Sequence, residues 1–464
     1  MCNISEQTLD KAIRDKYIEP TRRSRTLRAG VEFELPVVCL DRRPVDFELV
    51  HRLTDKFIER FGFDSVKRDD EGNIFSTEDS RTGDILSFDC SYNTLELSFG
   101  AEERLTAVYE RFLNYYGFIQ SVLTPERHTL TGMGVNPYYD INKREPIPNG
   151  RYRMLLHHLS SYPKYSELMK FHSRPDFGLF SCASQVQIDV EESRLAETLN
   201  VFTKLEPFKA VLFSNSLWGK DNCVLCGRDH FWRDSLHGLN PHNVDMYEVE
   251  LSSSEDVAEY IKSMSIYCTE RDGKYINFPP TPLRSYFASD KVTGEYYEDG
   301  GYKQIEFEPE LSDLGYLRSF KFEDVTYRGT VEFRSVCEQP VSEIMAPAAF
   351  HLGLLCELEE LAKLLASDRT LYHKGYSASE LRSLLDRRDI PDFIDKQELS
   401  SLLTEIVTLA ERGLKVRGFG EEKFIVPLFD RAERLSSAGR DMADGIAAGR
   451  TVEYYIDEYS KTVR

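Results

Sequence analysis

Two glutamates that stand two positions apart are the first residues of this chain whose spacing could do chemistry. Segment 30–35 is GVEFEL, and strand alternation places Glu32 and Glu34 on one face while the apolar residues pack on the other. The two carboxylates then lie about 7 Å apart along the strand. Such a pair repels unless water or a cation lies between its members, and hard cations such as Mg²⁺ prefer oxygen ligands of this kind. Taken alone, the pair is more often the solvated face of an antiparallel sheet.

The same pattern recurs on other predicted strands. Asp89 and Glu96 belong to two neighbouring short strands, ILSFD at 85–89 and TLELS at 94–98, in which apolar residues occupy the alternate positions. Segment 330–335, TVEFRS, places Glu332 and Arg334 on one face, so that a cation-binding group stands beside a phosphate-binding group. Three acidic strands weaken the interpretation of a solvated face. They predict a site lined by carboxylates.

A fourth strand and two loops add neutral and cationic groups. Segment 182–189, CASQVQID, presents Gln185 and Gln187 together, which supplies the donors and acceptors that a metal or nucleotide site needs. The loops are PNGRYRM at 148–154 and RDHFWR at 228–233, and both carry arginines whose planar forks match carboxylate and phosphoryl oxygens. As isolated motifs they are weak, because arginines are common on surfaces.

The overall charge argues against nucleic acid and membrane as partners. The 464 residues include 78 acidic and 58 basic ones, which gives a formal net charge of −20. Such a chain repels phosphate backbones and anionic lipids, so handling an anionic nucleotide requires bound cations or clustered arginines. The charged N-terminal segment predicts no signal peptide, and no apolar run approaches the roughly 18 residues of a membrane span. With nine cysteines in no disulfide pattern, a cytoplasmic protein is expected.

Several other motifs are incomplete or missing. The segment GMG at 132–134 lacks the Gly-Lys-Ser/Thr that completes a phosphate-binding loop, and neither a Rossmann fingerprint nor a G-x-S-x-G sequence is present. Cys223 and Cys226 have the spacing of zinc ligands, but no second pair of that kind follows. Dehydrogenase and hydrolase chemistry are therefore disfavoured.

The elements that must position these groups form an α+β pattern. Alternation predicts strands at 31–40, 73–76, 85–89, 94–98, 128–135, 181–190 and 326–336. Helical spacing predicts helices at 8–19, 46–61, 105–123 and 191–213, and a purely helical segment from residue 346 onward. Segment 215–243 is predicted to be an irregular loop, and 267–317 gives no clear pattern. We expect an α+β catalytic domain over 1–345, with a helical layer over 346–464 packed on it.

The ordered set of motifs resembles the glutamate–cysteine ligase family. The motifs that carry this resemblance are GVEFEL, TLELSFG, GMGVNPYY with NGRYRML, ASQVQIDV, NSLWGK with RDHFWRDS, and GTVEFRS. Any one of them could occur by chance, but six in the family's order, across residues 30–336, are specific. The resemblance implies a glutamine synthetase-like fold, in which an antiparallel sheet curves into a funnel that binds magnesium and ATP.

The resemblance also implies a role for individual residues. The implied ligands of two or more Mg²⁺ ions are Glu32, Glu34, Asp89, Glu96, Gln185 and Glu332. Glu332 and Arg334 are the implied catalytic pair, with Arg334 on the transferring phosphoryl group, and Gln187 and Arg334 are the implied nucleotide-binding residues. The implied substrate-binding residues are Arg228, which holds the glutamate α-carboxylate, and Arg151, Arg153 and Asn149 in one loop.

The implied activity is ATP-dependent ligation. ATP phosphorylates the γ-carboxylate of glutamate, and the amine of cysteine displaces phosphate to give γ-glutamylcysteine, the first step of glutathione biosynthesis. Three alternatives stay open: another amine as acceptor, a relative that binds nucleotide without catalysis, and a metal-dependent hydrolase on the same carboxylates. Because the sequence shows no added ATP-grasp domain, a fused two-step glutathione synthase is not expected. The oligomeric state is not predicted.

Overall fold

The computed structural model describes residues 4–23, 26–219, 223–368, 372 and 375–462; Lys220 of the NSLWGK motif lies outside them. In chain order the strands are β1 Ala29–Cys39, β2 Ser65–Arg68, β3 Ile74–Asp79, β4 Asp84–Phe88, β5 Thr94–Glu102, β6 His128–Leu130, β7 Ser184–Asp189, β8 Val244–Asp245, β9 Ser265–Arg271, β10 Lys274–Pro282, β11 Val292–Glu298, β12 Gly301–Phe307, β13 Phe320–Lys321, β14 Glu323–Val325 and β15 Thr330–Phe333.

The helices enclose these strands and make up most of the chain after the last strand. They are α1 Glu6–Ile13, α2 Phe47–Phe61, α3 Leu105–Leu123, α4 Gly150–Ser160, α5 Glu192–Phe213, α6 Gly227–Arg233, α7 Ser254–Ser263, α8 Leu283–Phe287, α9 Ala346–Cys356, α10 Leu358–Ala366, α11 Ala378–Leu385, α12 Lys396–Arg417, α13 Val426–Arg434, α14 Ala438–Ala447 and α15 Val452–Tyr459. A π-helical turn, Arg14–Ile18, continues α1.

The main sheet is antiparallel, with the strand order β14-β15-β7-β1-β5-β4-β3-β2 and β6 paired to β1. A separate four-stranded sheet, in the order β12-β11-β10-β9, stands beside it, and β8 pairs with β13 in parallel. The predicted fold class, α+β with an antiparallel sheet and a helical C-terminal layer, is confirmed.

One face of the main sheet faces the helices and forms the core. Val31, Phe33 and Leu35 of β1 are fully buried, and the ring of Phe33 packs edge-on against Phe112 of α3 at 5.2 Å. Side chains alternate along a strand, so burial of these three turns Glu32, Glu34 and their equivalents on neighbouring strands to the opposite face. The hydrophobic pattern therefore fixes which way the polar residues point.

The C-terminal helices pack on that apolar face. The ring of His351 in α9 stacks on Phe333 of β15 at 4.5 Å. On its other side α9 meets α12, where a Cβ atom on Gly353 would lie 2.3 Å from the carbonyl oxygen of Ala410. Only glycine permits two helices to approach this closely, so α9 and α12 are in close backbone contact. The division of the chain at residue 345 stays a prediction.

Three segments differ from the sequence expectation, and one of them is 148–154, which was predicted to be a loop although the helix α4 begins at Gly150. Residues 267–317, which gave no clear pattern, contain most of the second sheet, whose prolines and turns interrupt the alternation. The loop 215–243 was predicted to be irregular, and this is wrong over Gly227–Arg233, which is the helix α6. A helix of seven residues is too short to show helical periodicity in the sequence.

No single helix within the described ranges is long and apolar enough to cross a membrane, although the pair Val341–Cys356 and Leu358–Ala366, bent by 87°, passes that test jointly.

Candidate active site

The polar face of the main sheet brings the predicted carboxylates and amides into cross-strand register. Glu34 of β1 lies directly opposite Glu96 of β5, and Glu32 lies opposite Gln185 of β7. On the far side of β7, Gln187 lies opposite Glu332 of β15. Side chains opposite each other in such a sheet stand about 5 Å apart at Cβ, so these groups form one continuous polar surface.

Glu34 is the best anchored of these carboxylates. Its Oε2 accepts a hydrogen bond from the backbone N–H of Ala183 at 2.6 Å, and its Oε1 accepts one from Nε2 of Gln185 at 2.7 Å. The other end of that amide, Oε1 of Gln185, is buried and has no hydrogen-bond partner among the described residues. A buried acceptor left unpaired is costly and indicates that a donor or a cation belongs there.

A second group of contacts centres on Gln187. Its Nε2 donates to Oε1 of Glu32 and to Oε1 of Glu332, both at 3.0 Å. The other oxygen of Glu332 accepts a hydrogen bond from Nη1 of Arg334 at 2.8 Å. One amide thus joins two carboxylates on different strands, and one of these carboxylates orients Arg334.

Burial and mutual repulsion raise the pKa of most carboxylates on this face. Burial, with the charges of Asp89 and Glu96, raises the pKa of Glu34 to about 8. Burial raises the pKa of Glu32 well above its usual value, and Glu332 and Glu96 add to the effect. The pKa values of Asp89 and Glu96 are also raised, mainly by burial. Like charges held together this way require protons or bound cations to offset them.

Asp324 is a carboxylate of this face that the sequence analysis missed. It lies on β14, directly opposite Glu332, because the hairpin between β14 and β15 turns through Gly329, whose φ of 82° suits glycine. Burial raises the pKa of Asp324 to about 7, and Glu332 contributes to the increase. The alternation of Phe322 and Asp324 just before the hairpin is the sequence signal that could have found it.

Beside this face opens a cavity of about 270 Å³. The predicted site residues that line it are Glu34, Asp89, Arg151, Gln185, Arg228 and Arg334. Glu32, Glu96, Gln187 and Glu332 do not line it and lie further along the same sheet face. Lining residues that sequence reasoning did not assign to the site include Tyr267, Arg318, Phe320 and Asp324.

Two predicted substrate-binding residues lie outside the cavity lining. Arg153 forms an ion pair with Asp70 and its guanidinium lies over the ring of Tyr297, 5.0 Å from the centroid. Asn149 is the N-cap of α4, where its side chain accepts a hydrogen bond from the backbone N–H of Tyr152. The structure therefore separates both from the group that includes Arg151, and gives Asn149 a structural role.

Arg228 lines the cavity, but the protein itself uses most of its donors. Its Nε donates to Oγ of Ser181 at 3.2 Å, and Nη1 and Nη2 donate to the backbone carbonyls of Arg334, Ser335 and Val336 at 3.1 to 3.4 Å. These bonds occupy four of the five N–H donors of a guanidinium. The proposed contact of Arg228 with a substrate carboxylate therefore has at most one free donor.

The helix α6 is fixed by a buried ion-pair network from the C-terminal layer. Arg382 of α11 binds both carboxylate oxygens of Asp229, at 2.7 and 3.1 Å, and one oxygen of Glu206 at 2.6 Å. Asp229 immediately follows Arg228. Breaking a buried charge network of this kind is strongly destabilising, so the network holds this cavity wall in place.

The donor set on the polar face fits magnesium. It consists of carboxylate and amide oxygens, with raised carboxylate pKa values and an unpaired Oε1 on Gln185. Within the described ranges, no group of three or more His, Cys, Asp or Glu side chains is placed to hold a metal ion as it stands. The amide oxygen of Gln185 could add to the carboxylates, and the residues whose oxygens suit Mg²⁺ on this face are Glu32, Glu34, Asp89, Glu96, Gln185 and Glu332.

His230 lies on α6, which forms one wall of the cavity, and its ionisation should make the stability of the protein depend on pH. Hydrogen bonds to Asp234 at 3.3 Å and Asp386 at 3.1 Å raise its pKa to about 9. The folded pKa exceeds the ordinary value of 6.5, so the stabilisation is complete below pH 6.5 and is lost as the pH rises through 9. We expect His230→Gln to lower the free energy of unfolding by about 2 kcal/mol at pH 6 and by much less at pH 10. Urea unfolding at pH 6 and pH 10 measures the free energy of unfolding, with His242→Gln as the control variant. An equal loss of stability at the two pH values contradicts the prediction.

This chain matches one family model and aligns with solved structures. A family model described as glutamate-cysteine ligase family 2 matches residues 28–453. No curated protein matches the sequence. Among solved structures, a bifunctional glutathione synthetase from Pasteurella multocida aligns with 10% identity and a TM-score of 0.44 over 98% of this chain. This chain spans 53% of that protein. A glutamate–cysteine ligase from Francisella tularensis in complex with AMP aligns with 12% identity and a TM-score of 0.42, over 94% of this chain and 98% of that one.

Proposed function

This chain belongs to glutamate-cysteine ligase family 2, and we propose that it joins the γ-carboxylate of L-glutamate to the amine of L-cysteine at the expense of ATP. The product is γ-glutamylcysteine, formed through γ-glutamyl phosphate, in the first step of glutathione biosynthesis. The observation that carries the proposal is the polar face itself, where Glu34 lies opposite Glu96 beside Gln185 and its unpaired Oε1. Like charges placed opposite each other destabilise a sheet, so function is the reason to keep them.

The reaction mainly requires that the negative charges of ATP and of the glutamate carboxylate be offset. Glu32, Glu34, Asp89, Glu96, Gln185 and Glu332 would hold magnesium, which when bound would supply the positive charge that lets an anionic carboxylate and the phosphates of ATP come together. Glu332 holds the guanidinium of Arg334 in one orientation through the 2.8 Å hydrogen bond. Arg334 then stabilises the charge that develops on the transferring phosphoryl group.

The remaining residues orient and shield the reactants. Gln187 fixes Glu32 and Glu332 through its two hydrogen bonds, so these carboxylates keep their spacing when nucleotide binds. Arg151 lines the cavity near Asp89 and offers a cation to a substrate carboxylate. The buried Tyr267 and the partly buried Phe320 line the cavity and restrict water, which strengthens every charge interaction within it.

The proposal is tested by measuring ADP formation with purified protein, glutamate, magnesium ATP and a panel of amines that includes L-cysteine. We expect ADP to form only when glutamate and an amine are both present, and mass spectrometry to identify the γ-glutamyl product. Absence of ADP with every amine contradicts the proposal. Metal-activated turnover without ATP points instead to a hydrolase. A γ-glutamyl product other than γ-glutamylcysteine shows that the acceptor is a different amine from L-cysteine.

A further inference from the structure

The guanidinium of Arg228 is buried in the cavity wall without a carboxylate partner. It donates only to neutral acceptors, which are the hydroxyl of Ser181 and the backbone carbonyls of residues 334–336. Within the part of the chain that the structure describes, Arg228 forms no ion pair with Asp or Glu. A buried cation is costly unless a negative charge compensates it, so a counter-charge is expected close by.

The carboxyl groups around Arg228 have other roles. Both oxygens of Asp229 accept hydrogen bonds from Arg382. Glu34 belongs to the polar face, where each of its oxygens accepts a hydrogen bond. Glu338 is fully buried, and burial raises its pKa well above the ordinary value, so its neutral form is favoured. The counter-charge of Arg228 is therefore sought among other groups.

Cys337 directly follows the carbonyls that Arg228 holds, and its side chain is buried. Its Sγ lies 3.2 Å from Oγ of Ser216 and 3.5 Å from Sγ of Cys226. Oγ of Ser216 accepts the backbone N–H of Arg228 at 3.2 Å, so its own proton is available for donation to Cys337. A sulfur that accepts from a hydroxyl beside a guanidinium is in a position to hold a negative charge.

The two neighbouring cysteines differ in their affinity for a proton. Burial alone would raise the pKa of Cys337, but the hydrogen bond from Cys226, the charge of Arg228 and the hydrogen bond from Ser216 lower it to about 6. The contact with Cys337 and burial raise the pKa of Cys226 well above its ordinary value. Cys226 can also donate to Oδ1 of Asp229 at 3.2 Å. One sulfur of the pair therefore keeps its proton while the other releases it.

We propose that Cys337 carries a thiolate that compensates the charge of Arg228, and that it acts as the positioning residue for this arginine. The inference rests on the proposed ligase function for its effect on turnover, but not for the thiolate itself. Arg228 donates to the backbone carbonyl of Arg334, so a displaced Arg228 also displaces the residue that is proposed to act on the phosphoryl group. Misplacement of such a group lowers kcat by about tenfold or more.

Ultraviolet difference absorption tests the charge of Cys337 directly. A thiolate absorbs ultraviolet light where a thiol does not, so the spectrum of wild type minus that of Cys337→Ser isolates the titration of this sulfur. We expect the difference to be present at pH 8 and to disappear as the pH falls through 6. Cys223→Ser, which removes an exposed thiol, is the control and should leave this signal in place. A signal that appears only above pH 9 overturns the inference, whether or not the protein is a ligase.

Two substitutions separate the charge of Cys337 from its size. Cys337→Ser keeps the size and loses the charge, whereas Cys337→Asp keeps a charge in a larger side chain. Space is limited, because a Cβ atom on Gly134 would lie 2.7 Å from Cβ of Cys337, so a residue needed only for packing would tolerate Ser better than Asp. We expect the opposite at pH 8, with kcat lowered about tenfold in Cys337→Ser and less in Cys337→Asp. A higher kcat in Cys337→Ser than in a folded Cys337→Asp overturns the inference.

Thermal unfolding gives a readout that needs neither turnover nor the Asp variant. Between pH 6 and pH 9 the folded protein has released a proton that the unfolded chain still holds, so the thiolate stabilises the fold increasingly as the pH rises through this window. We expect the Tm of wild type to exceed that of Cys337→Ser by several degrees more at pH 9 than at pH 6. An equal difference at the two pH values overturns the inference.

Discussion

Replacing Arg334 with Met is expected to reduce glutamate-dependent ADP formation at least a thousandfold. The guanidinium is held by Glu332 on the polar face and lines the cavity beside Glu34. An arginine that stabilises a transferring phosphoryl group contributes roughly 10³ to 10⁵ in kcat, because it acts where water is excluded and charge develops. Glu332 keeps its hydrogen bond from Gln187 in the variant, so the fold is expected to persist.

Two companion variants identify the cause of the loss. Arg334→Lys keeps the positive charge without the planar fork, so we expect an activity between those of wild type and Arg334→Met. Arg412→Met removes a surface arginine that pairs with Glu357 far from the sheet, and should leave the rate unchanged. Steady-state ADP formation measures all three, and circular dichroism verifies folding. If Arg334→Met retains a tenth or more of the wild-type rate, Arg334 does not act on the phosphoryl group.

The polar face could be predicted from the sequence because strand alternation is strict. The apolar neighbours of Glu32, Glu34 and Glu332 had to be buried, and their burial determined where the carboxylates point. The pairing of the strands could not be predicted. The position of Glu34 opposite Glu96, for example, depends on contacts between segments that are distant in sequence. The family resemblance supplied the set of residues, whereas the register supplied their arrangement.

The arginines of NGRYRML show where local reasoning fails. As members of a loop, Arg151 and Arg153 are predicted to approach the substrates together. The structure begins α4 at Gly150, and residues two apart on a helix point in different directions. Arg151 therefore lines the cavity while Arg153 reaches Asp70 outside it. A helix in place of the predicted loop is enough to separate the two.

The helical C-terminal layer contributes to the site more than its sequence suggests. Its leucine spacing predicts only helices, yet Arg382 of α11 reaches through the core to bind Asp229, next to Arg228. The same guanidinium binds Glu206 of α5. One wall of the cavity therefore depends on a residue more than a hundred positions away in sequence, which no local motif could indicate.

The second large effect is expected at Glu34, where Gln should stabilise the metal-free protein and weaken its response to magnesium. Burial, Asp89 and Glu96 raise the pKa of this carboxyl to about 8 from an ordinary value of 4.5. The folded protein thus holds a proton that the unfolded chain has released between pH 4.5 and 8, so stability falls as the pH rises through that window. Glu34→Gln removes the ionisation, and at pH 8 we expect a gain of at least about 2 kcal/mol.

In the variant, one hydrogen bond of Glu34 is kept and the other reverses its direction. The new amide oxygen accepts from the N–H of Ala183. The new NH₂ takes the place of the oxygen that accepts from Nε2 of Gln185, so the amide of Gln185 has to flip and present its Oε1, unpaired in the wild type, as the acceptor. Magnesium is expected to raise the unfolding temperature of the wild type at pH 8 because it replaces the missing positive charge. In Glu34→Gln most of that increase should disappear, together with ligase activity, while Glu59→Gln on the exposed side of α2 should behave as wild type. Thermal unfolding at pH 5 and pH 8, with and without magnesium, separates the cost of the buried charge from the stabilisation by metal. If Glu34→Gln is less stable than the wild type at pH 8 without metal, the electrostatic account is contradicted. If magnesium stabilises the variant as much as the wild type, Glu34 is not part of the metal site.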